Sequence, residues 1–315
     1  MSWPRIFSQN QEASNGRKFI NILLKSAVSV ALLIFLFNRI EIRAVWQVFS
    51  EARLDYLAWA LGCHLALQLL GIYRWQILAR VMGFDRLFGQ YASYYFAGLF
   101  FNLFLPTTVG GDVSRCYYLA GERGRFMSAL ITVLADRGCG MMAIMSIASV
   151  ALIFSTSVSV PSWIVIFTVG ATAFLFAGLI LPFMAPALFH RKGFPVQYWE
   201  RPTPLFSALA LSLVIQLAVV GINYLIGEAL GLTIPMGFYF VFTPLVMAAS
   251  SLPISLNGLG VREGAYVFFL LQAQVDGAEA LAFALLWLIL LILLGLLGGL
   301  AWIFTPASSY RKLSA

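Results

Sequence analysis

The chain has 315 residues, of which 61% are hydrophobic and only 10% are charged. That charged fraction is far below the roughly 25% of an ordinary soluble domain, so the composition indicates an all-α polytopic membrane protein. The net charge of +7 does not indicate nucleic-acid binding, because the basic residues lie in short loops beside apolar segments, where positive charge normally sets topology. The three cysteines are scattered, which argues against a disulfide framework and against a metal site.

Six apolar segments are each long enough to cross a bilayer, which takes about 20 residues. They are Phe19 to Phe37, Tyr56 to Tyr73, Phe126 to Phe154, Pro161 to Leu181, Leu205 to Leu230 and Ala280 to Phe304. Two shorter apolar segments remain, Tyr91 to Leu105 and Phe238 to Leu252. We predict six transmembrane helices and two re-entrant helical hairpins.

Residues that break or loosen a helix end the first short segment, and two charged side chains follow them. In chain order these residues are Asn102, Pro106, Gly110, Gly111, Asp112 and Arg115. A helix that enters the membrane, turns and returns therefore fits this segment better than a simple crossing.

The second short segment repeats the spacing of the first. Pro106 precedes Gly111 by five residues and Arg115 by nine, and Pro253 precedes Gly258 and Arg262 by the same intervals. Matched breaks in the two halves of a membrane chain are typical of a substrate site built from discontinuous helices. The alternative, that these residues only end helices at loops, stays open.

Loop charges favour the re-entrant interpretation. If both short segments return to their own side, fifteen of the twenty Lys and Arg residues, including Arg74 and Arg115, fall in loops on one side. The positive-inside rule makes that side cytoplasmic. Both termini are then cytoplasmic, in an inner (plasma) membrane. The first hairpin enters from the cytoplasm and the second from outside, so the single membrane domain, 1–315, contains an inverted repeat.

The halves of the predicted repeat are 56–154 and 205–304. They are joined by the 161–181 span and by a cytoplasmic linker, 182–204, whose five prolines disfavour a helix.

Arg115 and Arg262 are the leading candidates for binding a lipid phosphate. An arginine beside a Gly-rich turn can bind phosphate bidentately while freed backbone N–H groups complete the shell. Asp112 and Glu263 could balance these arginines or recognise a cationic group. Two alternatives stay open: Arg115 snorkels to the interface, and Arg262 pairs with Glu263, although adjacent helical residues need not face each other.

Asp136 and Arg137 lie ten residues inside the apolar Phe126 to Phe154 segment. An unpaired charge there costs at least about 2.5 kcal/mol, so both side chains are expected to face the protein interior or a wet cavity. An internal ion-pair network and a transport role fit them equally well.

At GLFFNLFLPTTVGGDVSR, ADRGCG and SLPISLNGLGVREGAY the chain resembles the lysylphosphatidylglycerol synthase transmembrane-region family, the flippase-like domain also seen in multiple peptide resistance factor proteins. The resemblance runs from about Phe19 to Phe304. It implies an integral inner-membrane protein, and in two-domain relatives this region is thought to flip an aminoacylated phospholipid. Those relatives carry a soluble aminoacyl-tRNA-dependent transferase domain after the membrane region, and this chain stops at Ala315, so lysyl transfer is not expected here.

The resemblance also implies functional residues, position by position. They are Asn102, Pro106, Gly110, Gly111, Asp112, Arg115, Arg137, Asn257, Gly258, Gly260, Arg262 and Glu263.

The leading functional hypothesis is a flippase without catalytic activity. Its substrate would be a phosphate-containing lipid: a phospholipid, an aminoacyl-phospholipid or a polyprenyl-phosphate-linked lipid. The chain has no ATP-binding loop and no motif that predicts a cofactor, so transport would be downhill or driven by an ion or the membrane potential.

Two other hypotheses remain. One is a membrane-embedded lipid transferase with Asp112 or Asp136 as base. The other is an accessory subunit that partners a lipid- or glycolipid-synthesis enzyme. The oligomeric state is left open.

Overall fold

The computed structural model describes residues 24, 26–36, 38, 40–104, 110–121, 125–154, 160–185, 196–252 and 254–304. Every regular element in these ranges is a helix. The helices are α1 (Ser26–Leu36), α2 (Ile42–Glu51), α3 (Leu54–Val81), α4 (Phe88–Phe104), α5 (Gly110–Ala120), α6 (Phe126–Phe154), α7 (Ser162–Met184), α8 (Gln197–Glu200), α9 (Pro202–Ala229), α10 (Met236–Ser251), α11 (Val261–Gln272) and α12 (Gly277–Phe304).

Five of these helices, α3, α6, α7, α9 and α12, are long and apolar enough to cross a membrane. They coincide with five of the six predicted spans, which makes the chain a multi-pass membrane protein. The remaining prediction, Phe19 to Phe37, lies partly outside the described residues, and α1 covers its second half.

The predicted end of α3 at Tyr73 is wrong. The helix continues to Val81, and Arg74, which the loop-charge count placed in a cytoplasmic loop, is buried. Arg115, which the same prediction places in a loop, is buried within α5. Both guanidinium groups are inside the bundle because carboxylates meet them there, as described below.

The prediction that residues 182–204 form no helix is also wrong, because a helix occupies each end of this range and the short helix α8 lies within it. The helix α7 extends to Met184 with Pro182 in its last turn, and α9 begins at Pro202. A proline at the first helical position loses no hydrogen bond, and one in the last turn costs the helix a single bond. Pro186 and Pro195 lie outside the described residues.

One end of the helix bundle, which we call end A, is where α3 begins. There the backbone N–H of Arg53 donates to the carbonyl oxygen of Ala229 at 2.8 Å, so α9 finishes beside the start of α3. His64 stacks on Trp287 with 5.3 Å between ring centroids. Because each of these two residues lies ten positions into its helix, α3 and α12 both begin at end A.

The opposite end, end B, is where α3 finishes, and its 28 residues put it about 42 Å from end A. Nη2 of Arg125 donates to the carbonyl oxygen of Gly83 at 2.9 Å, and the Arg125 guanidinium lies 4.1 Å from the Phe84 ring centroid. The start of α6 therefore lies beside the end of α3.

Two pairs of short helices each lie between residues that flank one end of the bundle. The pair α4–α5, which we call the first hairpin, lies between Gly83 and Arg125, and both of these residues flank end B. The pair α10–α11, the second hairpin, lies between Ala229 and Gly277, and both flank end A. Residues 105–109, which include Pro106, and residue Pro253 lie outside the described residues.

Helix contacts repeat between the two halves of the chain. The helix α3 packs on α9, α4 packs against α12 as α10 does against α6, and α5 contacts α6 as α11 contacts α12. The contact between α4 and α12 is especially close because α12 has glycines, which carry no side chain, where it faces α4. A Cβ atom on Gly298 would lie 2.6 Å from the carbonyl oxygen of Phe96.

Candidate functional site

Five charged side chains from three helices converge on one cavity, which we call the charged cavity. Arg74 comes from α3, Asp112 and Arg115 from α5, and Asp136 and Arg137 from α6. The cavity has a volume of about 300 Å³. Its other lining residues are Tyr95, Gly98, Leu99, Asn102, Gly140, Met141, Ile144 and Ser251.

Asp136 lies at the centre of this cluster. Its Oδ1 accepts a hydrogen bond from Nε of Arg74 at 2.8 Å, and its Oδ2 accepts one from Nη2 of Arg115 at 3.1 Å. Nη1 of Arg74 also donates to Oγ of Ser212 on α9 at 2.9 Å. Asp136, on α6, is therefore bonded to both α3 and α5. Charge-assisted hydrogen bonds of this kind are stronger than neutral ones, so they hold the three helices together.

Asp112 forms the second ion pair of the cluster. Its Oδ2 accepts from Nε of Arg137, and its Oδ1 lies 3.7 Å from Nη1 of Arg115. The Arg137 side chain is 50% exposed, whereas that of Asp112 is 8% exposed. Arg137 is therefore the guanidinium that a ligand entering the cavity can reach most easily.

Arg115 is held between two aromatic rings. Its guanidinium carbon lies 4.1 Å from the ring centroid of Trp75 and 4.6 Å from that of Tyr95. Its Nε is buried and has no hydrogen-bond partner among the described residues. The stacking fixes the guanidinium plane, and Nε stays a buried donor without a partner in the described part of the chain.

The cluster contains three guanidinium groups and two carboxylates, which leaves a surplus of one positive charge. Charges inside a protein are screened less than charges in bulk water. This surplus charge therefore attracts an anion more strongly than an exposed arginine would. The arrangement can therefore bind a group with one negative charge, such as a phosphodiester.

The close packing of the first hairpin depends on Gly111. Its N–H donates to Oδ1 of Asn102 at 2.8 Å. A Cβ atom on Gly111 would lie 2.6 Å from Cγ of Asn102 and would also collide with the carbonyl oxygen of Gly98. Gly110 and Gly111 open α5, so the carboxylate of Asp112 lies in the first turn of that helix, where the helix dipole favours negative charge.

Arg262 and Glu263 form an ion pair with each other in the second hairpin. Nη2 and Nε of Arg262 lie 2.6 and 3.0 Å from Oε1 of Glu263, and the backbone N–H of Gly260 donates to Oε2 at 2.6 Å. The pair forms because Glu263 folds back to cap the start of α11. Neither side chain lines the charged cavity, and the expectation that Arg262 binds lipid stays a prediction.

The two hairpins meet beside the charged cavity. Nδ2 of Asn257 donates to the carbonyl oxygen of Asn102 at 3.3 Å, and Ser251, the last residue of α10, lines the cavity. Asn257, Gly258 and Gly260 all have positive φ, a conformation that Gly and Asn adopt at least cost. The structure thus brings Asn257 to the cavity edge and leaves Arg262 and Glu263 apart from it.

Sequence reasoning missed most of the uncharged lining residues, and among the side chains that pair with or lie beside the charged groups it missed Arg74, Tyr95 and Ser212. A signal for Arg74 was present, because apolar residues continue past it to Val81 with helical spacing. Tyr95 and Ser212 carry no comparable signal, since one is an aromatic residue in an apolar run and the other a lone serine in a span.

The sequence model of a family described as lysylphosphatidylglycerol synthase TM region matches residues 22–299. No curated protein and no solved structure matches the chain.

Proposed function

Since the chain belongs to the lysylphosphatidylglycerol synthase transmembrane-region family, we propose that it moves a phosphate-containing lipid across the inner membrane. The observation that carries this proposal is the surplus positive charge at the charged cavity, where the Arg137 guanidinium is half exposed. The phosphate of the head group binds between Arg115 and Arg137, and the hydrocarbon chains remain in the apolar phase. The polar group thereby avoids bare hydrocarbon.

The position of the charged cavity along the bundle supports a transport path. Arg137 lies 11 residues after the start of α6, about 16 Å along a helix of about 43 Å. A head group bound there has left the membrane surface and has not yet reached the other side. The cavity lowers the barrier to crossing and supplies no free energy of its own, so net movement follows the lipid gradient or a coupled ion.

We also propose that the two hairpins are re-entrant and form an inverted repeat across the bilayer, with both chain termini in the cytoplasm. The first hairpin begins and finishes at end B and the second at end A, and the helix contacts of 56–154 resemble those of 205–304. In this arrangement end B is cytoplasmic, and Asn102 and Asn257 mark the point where the two halves meet.

Reconstitution into liposomes tests the transport proposal. We expect the purified protein to accelerate flipping of fluorescent phosphatidylglycerol, and we expect Arg137→Gln to reduce the rate by about tenfold, the equivalent of about 1.4 kcal/mol. The matched control is Arg53→Gln, because Arg53 forms an exposed ion pair with Asp55 at 3.2 Å, away from the cavity. Size-exclusion profiles and melting curves of both variants establish that they are folded.

Two outcomes would overturn the proposal. One is a wild-type rate no higher than that of empty liposomes with phospholipids and polyprenyl phosphates alike. The other is chemical turnover of a labelled lipid donor that Asp112→Asn abolishes, which would support the membrane transferase instead.

A further inference from the structure

A second cavity, which we call the apolar crevice, lies along the same two helices as the charged cavity. Its volume is about 1210 Å³. The helix α6 contributes residues from Ser146 to Phe154, and α10 contributes residues from Gly237 to Phe240. The same helices line the charged cavity through Arg137 and Ser251, so one helix pair connects the two cavities.

A continuous stripe on α6 runs from one cavity to the other. Gly140 and Ile144 line the charged cavity, and Ile147 and Ala151 line the apolar crevice. These residues are spaced by four, three and four positions, so they lie on one face of the helix. The two cavities therefore lie about one helical turn apart along this face of α6.

Resting on the proposed function, we infer that the apolar crevice holds a hydrocarbon chain of the lipid whose phosphate binds in the charged cavity. Ser146 to Phe154 lie 9 to 17 residues beyond Arg137, about 14 to 26 Å along the helix. Half of a hydrocarbon core of about 30 Å is about 15 Å. The end of a chain that spans one leaflet therefore reaches the near end of the crevice, and a longer chain extends farther into it.

The chemistry of the crevice wall fits this occupant. Val150 is 56% exposed, Leu217 47% and Phe268 48%, so apolar side chains border the opening. In a protein that crosses the membrane, an apolar opening of this kind faces lipid. The hydrocarbon chains of the surrounding lipid are already in an apolar phase, so apolar contact alone does not favour their entry into the crevice. A chain joined to a head group in the charged cavity is favoured over a free one by its high effective concentration.

Photocrosslinking tests this inference. The probe is phosphatidylglycerol in nanodiscs with a diazirine at the end of one acyl chain, and diacylglycerol with the same chain is the neutral comparison. We expect crosslinks at the near end of the crevice, around Ser146 and Ile147, to exceed those on α7 severalfold. We expect Arg137→Gln to reduce crevice labelling by phosphatidylglycerol and to leave labelling by diacylglycerol unchanged.

A matched pair of glycine substitutions provides the steric test. A Cβ atom would meet nothing within 4 Å at Gly237, which lines the crevice, or at Gly178 on α7, which lines neither cavity. Gly237 lies 14 residues from Ser251, about 21 Å along α10, so this test uses a phosphatidylglycerol probe whose chain is longer than one leaflet. We expect Gly237→Trp to reduce crevice labelling by this probe severalfold and Gly178→Trp to leave it unchanged.

The inference is overturned if labelling is equal on α7 and in the crevice, or if Gly237→Trp has no effect. It is also overturned if crevice labelling by phosphatidylglycerol persists in Arg137→Gln, because the crevice then holds an independent lipid. If the crosslinks behave as expected but liposomes show no flipping, the chain site stands and the transport proposal fails.

Discussion

Nε of Arg74 lies 2.8 Å from Oδ1 of Asp136, although 62 residues separate them in the chain. The contact joins α3 to α6 inside the bundle, and Arg115 approaches the other carboxylate oxygen at 3.1 Å. One aspartate therefore accepts hydrogen bonds from two buried guanidinium groups. The charged cavity forms around this arrangement.

Replacement of Asp136 by Asn is expected to destabilise the protein strongly. Arg74 and Arg115 would lose their shared counter-charge, and removing one partner of a buried ion pair costs about 3–5 kcal/mol. The measurement is thermal unfolding in detergent, with Asp55→Asn as the control. Asp55 belongs to an exposed pair, whose loss costs about 1 kcal/mol or less. Equal melting temperatures for the two variants would contradict the prediction.

Gly111→Ala is expected to loosen the first hairpin. The new methyl group would collide with the carbonyl oxygen of Gly98 and lie 2.6 Å from Cγ of Asn102, and overpacking of this kind costs about 1–3 kcal/mol. We expect a lower melting temperature and faster hydrogen exchange in α4 and α5. Gly178→Ala is the control, because a Cβ atom there meets nothing within 4 Å. A Gly111→Ala protein as stable as this control would show that α4 and α5 can separate at little cost.

Arg262 and Glu263 are expected to behave as a coupled pair. Arg262→Gln leaves a buried carboxylate and Glu263→Gln leaves a buried guanidinium, so each single variant is expected to lose about 3–5 kcal/mol of stability. The double variant is expected to recover much of that loss because no charge remains uncompensated. Melting curves of the four proteins measure this coupling, and strictly additive losses would contradict it.

The same double variant tests whether Arg262 binds lipid, as the sequence predicts. A folded double variant that flips lipid slowly would support that prediction. Flipping at the wild-type rate would limit Arg262 to balancing Glu263.

The proposed inverted topology predicts opposite labelling of two exposed loops. The α3–α4 loop lies at end B and contains Asp85, whose side chain is 95% exposed, and the α9–α10 loop lies at end A and contains exposed Thr233. In a Cys63→Ala background, which removes an exposed native thiol, we expect Asp85→Cys to react from the cytoplasm. Thr233→Cys is expected to react from outside. Labelling of both positions from the same side would exclude the topology.

The amino-acid sequence by itself determined the class of protein and the positions of most spans. Hydropathy and segment length are local properties, so the five long helices coincide with predicted segments. The matched Pro, Gly and Arg spacing also predicted two short, interrupted segments, and short helices lie on either side of each one: α4 and α5 at the first, α10 and α11 at the second. Residues that break a helix act locally, so the sequence alone can indicate such an interruption. The predicted span ends at Tyr73 because a charged residue, Arg74, follows it, whereas α3 continues to Val81. Arg74 can lie inside the bundle because its partner, Asp136, is on another helix.

Only the tertiary structure decided which charged residues share a site. Ion pairs such as Arg74 with Asp136 join residues far apart in the chain, and no local pattern specifies the partner. The spacing motif treats Arg115 and Arg262 as equivalent, yet one lines the charged cavity between two aromatic rings and the other pairs with its neighbour. The difference arises from packing, because the helices around each hairpin determine which carboxylate each guanidinium meets.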